Sequence, residues 1–150
     1  MATPFRTIYS AFLRKIEDSD LPQMSSVDQD QMLLGWLMDA LGYVTLDMLK
    51  IEHDLNNYDL ELQEFNDDLT NDEITALSLY MAAAWYEPRI NSLSHTLLFW
   101  GSRDEKYTDQ TKHLNWMMQT QDRYLQRARK YFRNHSSRKN SYLNGDANGN

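Results

Sequence analysis

The chain has 150 residues, a net charge of −7 and no cysteine. Its length predicts one domain with a hydrophobic core, and its 41% hydrophobic and 12% aromatic residues are too many for a disordered protein. The absence of cysteine excludes disulfides and thiolate metal sites, and no apolar run reaches the roughly 18 residues of a membrane helix. The N-terminal segment lacks the pattern of a signal peptide. We therefore expect a soluble, intracellular protein without a membrane partner.

Charge is distributed unevenly along the chain. Residues 1–122 contain 8 basic and 21 acidic side chains, whereas residues 123–139 contain seven basic side chains and no acidic one. An acidic body with a basic end can attract a second copy head to tail, or an acidic partner. A solvated helix end is the alternative, because basic residues also favour the negative end of the helix dipole.

Two helices are predicted in the first third of the chain. The first begins with Thr3 as N-cap and Pro4 at the first helical position, and apolar side chains then recur at helical spacing over about four turns. The second runs from about Ser26 to Leu41. Gly42 should end it, because glycine favours the left-handed position that follows a helix.

The segment 43–67 carries seven acidic side chains against the single Lys50. Apolar residues alternate with a period of two on either side of Asn56-Asn57, which predicts a short β-hairpin or an extended loop with a turn near those asparagines. A hairpin there has to pack on the helices or on another subunit, because an isolated one is barely stable. The acidic residues lack the spacing of an EF-hand, so we expect no calcium site.

The central helix is predicted over residues 70–100, and the other helices should pack against it. Thr70 and Glu73 have the spacing of a capping box, in which each side chain bonds the other residue's backbone N–H. Pro88 lacks an N–H and clashes with the preceding turn, which predicts a kink or a short break. Gly101 should end the helix. The residues that share its apolar face are Ile74, Leu77, Met81 and Trp85.

The last helix is predicted to start at Thr108 or Asp109 and to run for about 25 residues. Because this length exceeds what a small bundle covers, we expect the basic second half to project. The segment beyond Asn134 should be disordered in isolation. The predicted fold is mainly α: a four-helix, bundle-like domain at residues 1–122, then a basic arm and flexible tail at 123–150, whose deletion should spare the helical fold.

Side chains suited to catalysis or metal binding are scattered. His53, His95, His113 and His135 lie on different elements without metal-binding spacing, and no phosphate-binding loop or nucleophile motif occurs. We therefore expect no enzyme, no metal and no cofactor. Two alternatives stay open: a nucleic-acid-binding module that uses the basic helix from Arg123 to Lys139 and, with less support, a small enzyme built from scattered acids and His113.

Three segments carry a resemblance to a known family. They are TPFRTIYSAFLRKI, then FNDDLTNDEI followed by Trp85 and Ile90, and finally GSRDEKYTDQTKHL, in which Asp104, Lys106, Gln110, His113 and Leu114 match. Together they resemble the head–tail connector proteins of bacteriophages, also called neck adaptors. Pro88 and the acidic segment 43–67 depart from that family's pattern.

The resemblance implies a structural virion protein without catalysis. In related systems such adaptors form a twelve-fold ring of copies that docks under the portal protein and receives the tail or the next neck protein. DNA passes through the lumen without sequence readout. The resemblance also implies a place in the virion neck after assembly in the host cytoplasm, with a C-terminal segment that orders on the portal. The residues assigned to portal docking are Arg123, Arg127, Arg129, Lys130, Tyr131, Phe132, Arg133, Arg138, Lys139 and Tyr142.

Overall fold

The computed structural model describes residues 1–99 and 105–139, and gives the side chains of residues 1–99 and 106–134. Within that part of the chain the fold is mainly α-helical with one small antiparallel sheet, which confirms the predicted fold class. In chain order the elements are β1 (Thr3–Pro4), α1 (Phe5–Leu13), a 3₁₀ turn (Leu21–Gln23), α2 (Ser26–Leu46), β2 (Tyr58–Asp59), β3 (Glu64–Phe65), α3 (Asn71–Phe99) and α4 (Glu105–Lys139).

The acidic segment does form a short hairpin, but its turn lies between β2 and β3 rather than at Asn56-Asn57. Asp59 Oδ1 accepts hydrogen bonds from the backbone N–H groups of Glu61 (2.8 Å) and Leu62 (3.0 Å), which closes the turn. The N-terminal strand β1 pairs with the other edge of β3, with Thr3 opposite Phe65. This third strand gives the hairpin the support that an isolated pair lacks.

Thr3 therefore lies in a strand and is not the N-cap of the first helix. Its Oγ1 donates to the Asp67 carbonyl (3.1 Å) and accepts from the Leu69 N–H (2.9 Å). Pro4 occupies the cap position in extended conformation. The sequence signal is ambiguous because a threonine before a proline fits both a helix cap and a strand.

The second helix continues to Leu46 instead of ending near Leu41. Gly42 lies inside α2, exposed to solvent and with no neighbouring atom where a Cβ would stand. Met48 takes the left-handed conformation instead, with φ of 53°, and its N–H donates to the Thr45 carbonyl (3.1 Å). Packing of Val44, which is buried in the core, outweighs the small helix-breaking tendency of one exposed glycine.

The central helix α3 begins with the predicted capping box. Glu73 N donates to Thr70 Oγ1 (3.2 Å), and Thr70 N donates to Glu73 Oε2 (2.8 Å). The helix then continues through Pro88 to Phe99, so a break at the proline is wrong. Every residue from Ala76 to Tyr86 is buried, because α1, α2 and α4 all contact this helix. A helix that is buried on all sides carries apolar residues all round rather than on one face.

The prediction that the basic half of the last helix projects is wrong for residues 123–134. Ala128 is 0% and Phe132 3% exposed, and the Phe132 ring lies 6.3 Å from that of Tyr80 on α3. These side chains complete the core, so deletion of 123–150 is not expected to spare the fold. The helix also begins earlier than predicted, at Glu105 instead of Thr108 or Asp109. Gly101 lies outside the described residues.

Candidate functional site

The outer face of α4 carries a row of exposed basic side chains, here called the cationic stripe: Arg123, Arg127, Lys130 and Arg133. Successive spacings of four, three and three residues keep them on one side of a helix. The opposite side carries the buried Ala128 and Phe132. Helical periodicity thus divides residues 123–133 into a core-facing side and a solvent-facing side.

The other residues assigned to portal docking have different environments. Arg129 donates to Asp47 Oδ2 at 3.2 Å, and Tyr131 is partly buried against the core. Arg138 and Lys139 belong to α4, but the structure gives no side chains for them. Tyr142 lies outside the described residues. Only the stripe is therefore placed by the structure as an exposed basic surface.

A cleft of about 660 Å³ lies at the N-terminal end of the stripe, near Arg123. It is bounded by the end of α1, the middle of α3 and the first half of α4. Five basic side chains line this feature, which we call the cationic cleft: Arg14, Lys15, Arg89, His113 and Arg123. Glu17 is the one acidic residue among the described lining residues. In a chain with net charge −7, this is a local reversal of charge.

Aromatic rings also line the cationic cleft. The Tyr86 and Tyr124 rings stack with centroids 6.0 Å apart, and Trp116 meets Tyr86 edge-on at 6.3 Å. His113 stacks on Trp116 at 5.8 Å. Tyr124 Oη donates to the Lys15 carbonyl at 3.1 Å, which ties the end of α1 to α4. The rings give the cleft an apolar wall next to its charges.

Asp18 holds two side chains that line the cationic cleft, those of Trp85 and Arg89. Its Oδ2 accepts from Trp85 Nε1 (2.9 Å) and from Arg89 Nη2 (2.8 Å), and the Arg89 guanidinium lies 3.6 Å from the centroid of the Trp85 ring. Burial alone would raise the pKa of Asp18. The hydrogen bonds from Trp85 and from backbone N–H groups, with the Arg89 charge, hold that pKa below its usual value. The charge of Arg89 is therefore already compensated within the subunit.

Lys15 in the cationic cleft lies close to other basic side chains. Burial lowers the pKa of Lys15, and the charges of Arg14 and Arg127 lower it further. No carboxylate of the described residues forms an ion pair with Arg14, Lys15 or Arg123. An anion that entered the cleft would relieve this repulsion. The geometry thus favours a ligand that is both anionic and partly apolar.

A second polar cluster lies at the start of α3. Glu73 is fully buried, and its Oε1 accepts from the backbone N–H groups of Glu52 (2.9 Å) and His53 (2.8 Å). His53 Nδ1 lies 3.0 Å from the second oxygen. Burial would raise the pKa of Glu73, but these hydrogen bonds and that of Thr70 keep it low. Because both its oxygens are engaged with this chain, Glu73 serves to hold the loop after α2 against α3.

Comparisons with protein-family models, with curated proteins and with solved structures find no match to this chain. Within the described residues, no helix is both long enough and apolar enough to cross a membrane. The side chains of that part of the chain form no group of three His, Cys, Asp or Glu that could hold a metal ion.

The charge pattern of the sequence singles out Arg123 and Arg127, whereas it gives no role to Arg14, Lys15 or Arg89. Arg14 and Lys15 lie more than 100 positions before the stripe, and Arg89 lies on a different helix, so no linear pattern joins them. Their partnership depends on how α1 and α3 pack against α4.

Proposed function

We propose that this protein is a structural component of a bacteriophage neck. Copies of it form a ring that docks on the portal protein and connects the DNA-filled head to the tail. The proposal starts from the resemblance of three segments to head–tail connector proteins. One observation carries it further, namely that the exposed side of the C-terminal helix is a continuous cationic stripe on an otherwise acidic protein.

A preformed basic helix face is suited to dock on an acidic protein surface. Complementary charge speeds the encounter and fixes orientation, and arginine forms bidentate bonds with carboxylates. Phe132 is buried and Arg129 binds Asp47, so neither is available to a partner. The proposed docking residues are therefore Arg127, Lys130 and Arg133, together with the segment beyond Lys139. The docking surface is therefore a rigid helix face that a tail can extend.

Electron microscopy of the protein mixed with a portal tests this function. We expect a ring that is coaxial with the portal. The variant Lys130→Glu/Arg133→Glu should lose the ring because two of the three basic charges on the docking face are reversed. Arg6→Glu/Lys50→Glu is the matched control, since it makes the same change in net charge at exposed positions outside α4 and should dock normally. Normal docking by the stripe variant would contradict the proposal.

A nucleic-acid-binding module is the second candidate, and the aromatic rings beside basic groups in the cationic cleft favour it. Proteins that bind single strands combine a positive groove with rings on which bases stack. Fluorescence anisotropy with single-stranded and duplex DNA at two salt concentrations separates the candidates. Tight binding that falls steeply with salt would favour the module, whereas the adaptor should bind DNA weakly.

A further inference from the structure

We propose that the cationic cleft of one copy receives the tip of the β2–β3 hairpin of a second copy, in a head-to-tail contact. The inference rests on the proposed function in one respect, that copies of the chain assemble with one another. It adds which two surfaces meet.

The hairpin tip is anionic and partly apolar, so it complements the basic and aromatic lining of the cationic cleft. Residues 59–64 read DLELQE, with three carboxylates and no basic side chain. Leu60 is 53% and Leu62 68% exposed, although both are apolar. An anionic loop with two exposed leucines can place carboxylates against Arg14, Lys15 and Arg123 and leucines against aromatic rings.

The tip is held in a fixed shape. Asp59 closes the turn through its two backbone hydrogen bonds, and Gln63 adopts a left-handed conformation with φ of 53°. The Gln63 carbonyl accepts from the N–H of Phe5, the first residue of α1 (2.9 Å). A preordered loop loses little conformational entropy on docking.

The hydrogen bond between the Phe5 N–H and the Gln63 carbonyl also indicates why the hairpin tip in the cleft comes from another copy. The tip is fixed to the first residue of α1, whereas Arg14 and Lys15 of the cleft come after the last residue of that helix. Nine helical residues separate the two by about 14 Å at 1.5 Å per residue. Consistent with this separation, none of the residues 59–64 lines the cationic cleft of its own subunit. A contact between two different surfaces is heterologous, and such contacts generate rings or open filaments.

Another cavity of similar size does not suit the tip. A groove of about 610 Å³ between α2 and α3 is lined by Asp39 and Glu87, which would repel Glu61 and Glu64. Burial and, to a lesser extent, the nearby Glu87 raise the pKa of Asp39, so the tip would add carboxylates beside two acidic side chains that already repel each other. Charge thus selects the cationic cleft over the groove.

Disulfide cross-linking tests the contact directly, because the chain has no cysteine of its own. The variant Leu62→Cys/His113→Cys places one thiol on the tip and one at the cleft. Under mild oxidation we expect a ladder of covalent oligomers. A mixture of the two single variants should give heterodimers and no longer species. Leu46→Cys/His113→Cys is the control, because residue 46 is also highly exposed but lies at the end of α2, and it should give no ladder.

A charge exchange supports the cross-link. Glu61→Arg and Arg123→Glu should each weaken self-association by about tenfold in sedimentation velocity, and the two together should restore it. Failure of cross-linking while rings still form on the portal would overturn this contact and leave the proposed function standing. Cross-linking without portal docking would support this contact and overturn the proposed function. Loss of oligonucleotide binding in Arg123→Glu, with self-association unchanged, would assign the cleft to nucleic acid and overturn the contact.

Discussion

The burial of Phe132 predicts that the basic half of α4 is part of the folded domain. In Phe132→Ala the ring that contacts Tyr80 is lost from a site that is 3% exposed. Truncation of a buried phenylalanine costs about 3–5 kcal/mol, because transfer free energy is lost and a cavity is left. That is a large share of the roughly 5–15 kcal/mol that stabilises a domain. We therefore expect a severe loss of stability.

Urea denaturation monitored by far-ultraviolet circular dichroism measures this change. Arg133→Ala is the control, because it shortens the adjacent exposed side chain on the same helix and should change the free energy of unfolding by less than about 0.5 kcal/mol. A loss below about 1 kcal/mol in Phe132→Ala, with unchanged slope, would refute the packing of α4 and restore the idea of a projecting arm.

Three further predictions concern α3 and the clusters around it. The lowered pKa of Glu73 gives stability that is complete above its unfolded value of about 4.5 and is lost as pH falls through the folded pKa. The hydrogen bond to Glu73 raises the pKa of His53, so the stability that His53 contributes is complete below about pH 6.5 and is lost as pH rises. Differential scanning fluorimetry should therefore give the highest Tm near pH 5–6.5, and a flat profile would contradict this. Trp85→Phe removes one of the hydrogen-bond donors to Asp18 and should lower the free energy of unfolding in urea by about 1–2 kcal/mol. An unchanged midpoint would show that this hydrogen bond is dispensable. Pro88→Ala restores a backbone donor inside α3 and should raise the free energy of unfolding by on the order of 1 kcal/mol or more, which moves the urea midpoint upward. A lowered midpoint would mean that the helix depends on the proline.

Local chemistry determines which features can be predicted from the sequence. The capping box of Thr70 and Glu73 needs only two side chains three residues apart, so its geometry comes from the helix itself. Alternating residues predict the hairpin correctly but misplace its turn. Asp59 provides the turn's hydrogen bonds, and two consecutive asparagines are a more conspicuous signal than one aspartate.

Features that depend on contacts distant in sequence are not predictable in this way. Asp18 meets Trp85 and Arg89 across about 70 residues, and nothing near any of the three indicates the others. The position of the last helix is a different kind of error. Tyr124, Ala128 and Phe132 recur every four residues, which is a core-facing pattern, but the expectation of a projecting arm gives helix length more weight than that periodicity.

The packing of α4 changes how docking on a partner would work. A disordered arm loses conformational entropy when it binds, at a cost of several kcal/mol. In this protein the core already orders residues 123–134, because Ala128 and Phe132 are buried within the subunit. On the proposed function, the cationic stripe would therefore meet a partner in its final geometry, without a large ordering cost for that part of the helix. The same rigidity keeps Arg123 in one cleft with Arg14 and Lys15, so the two proposed contacts, at the cationic cleft and along the stripe, would share one rigid helix.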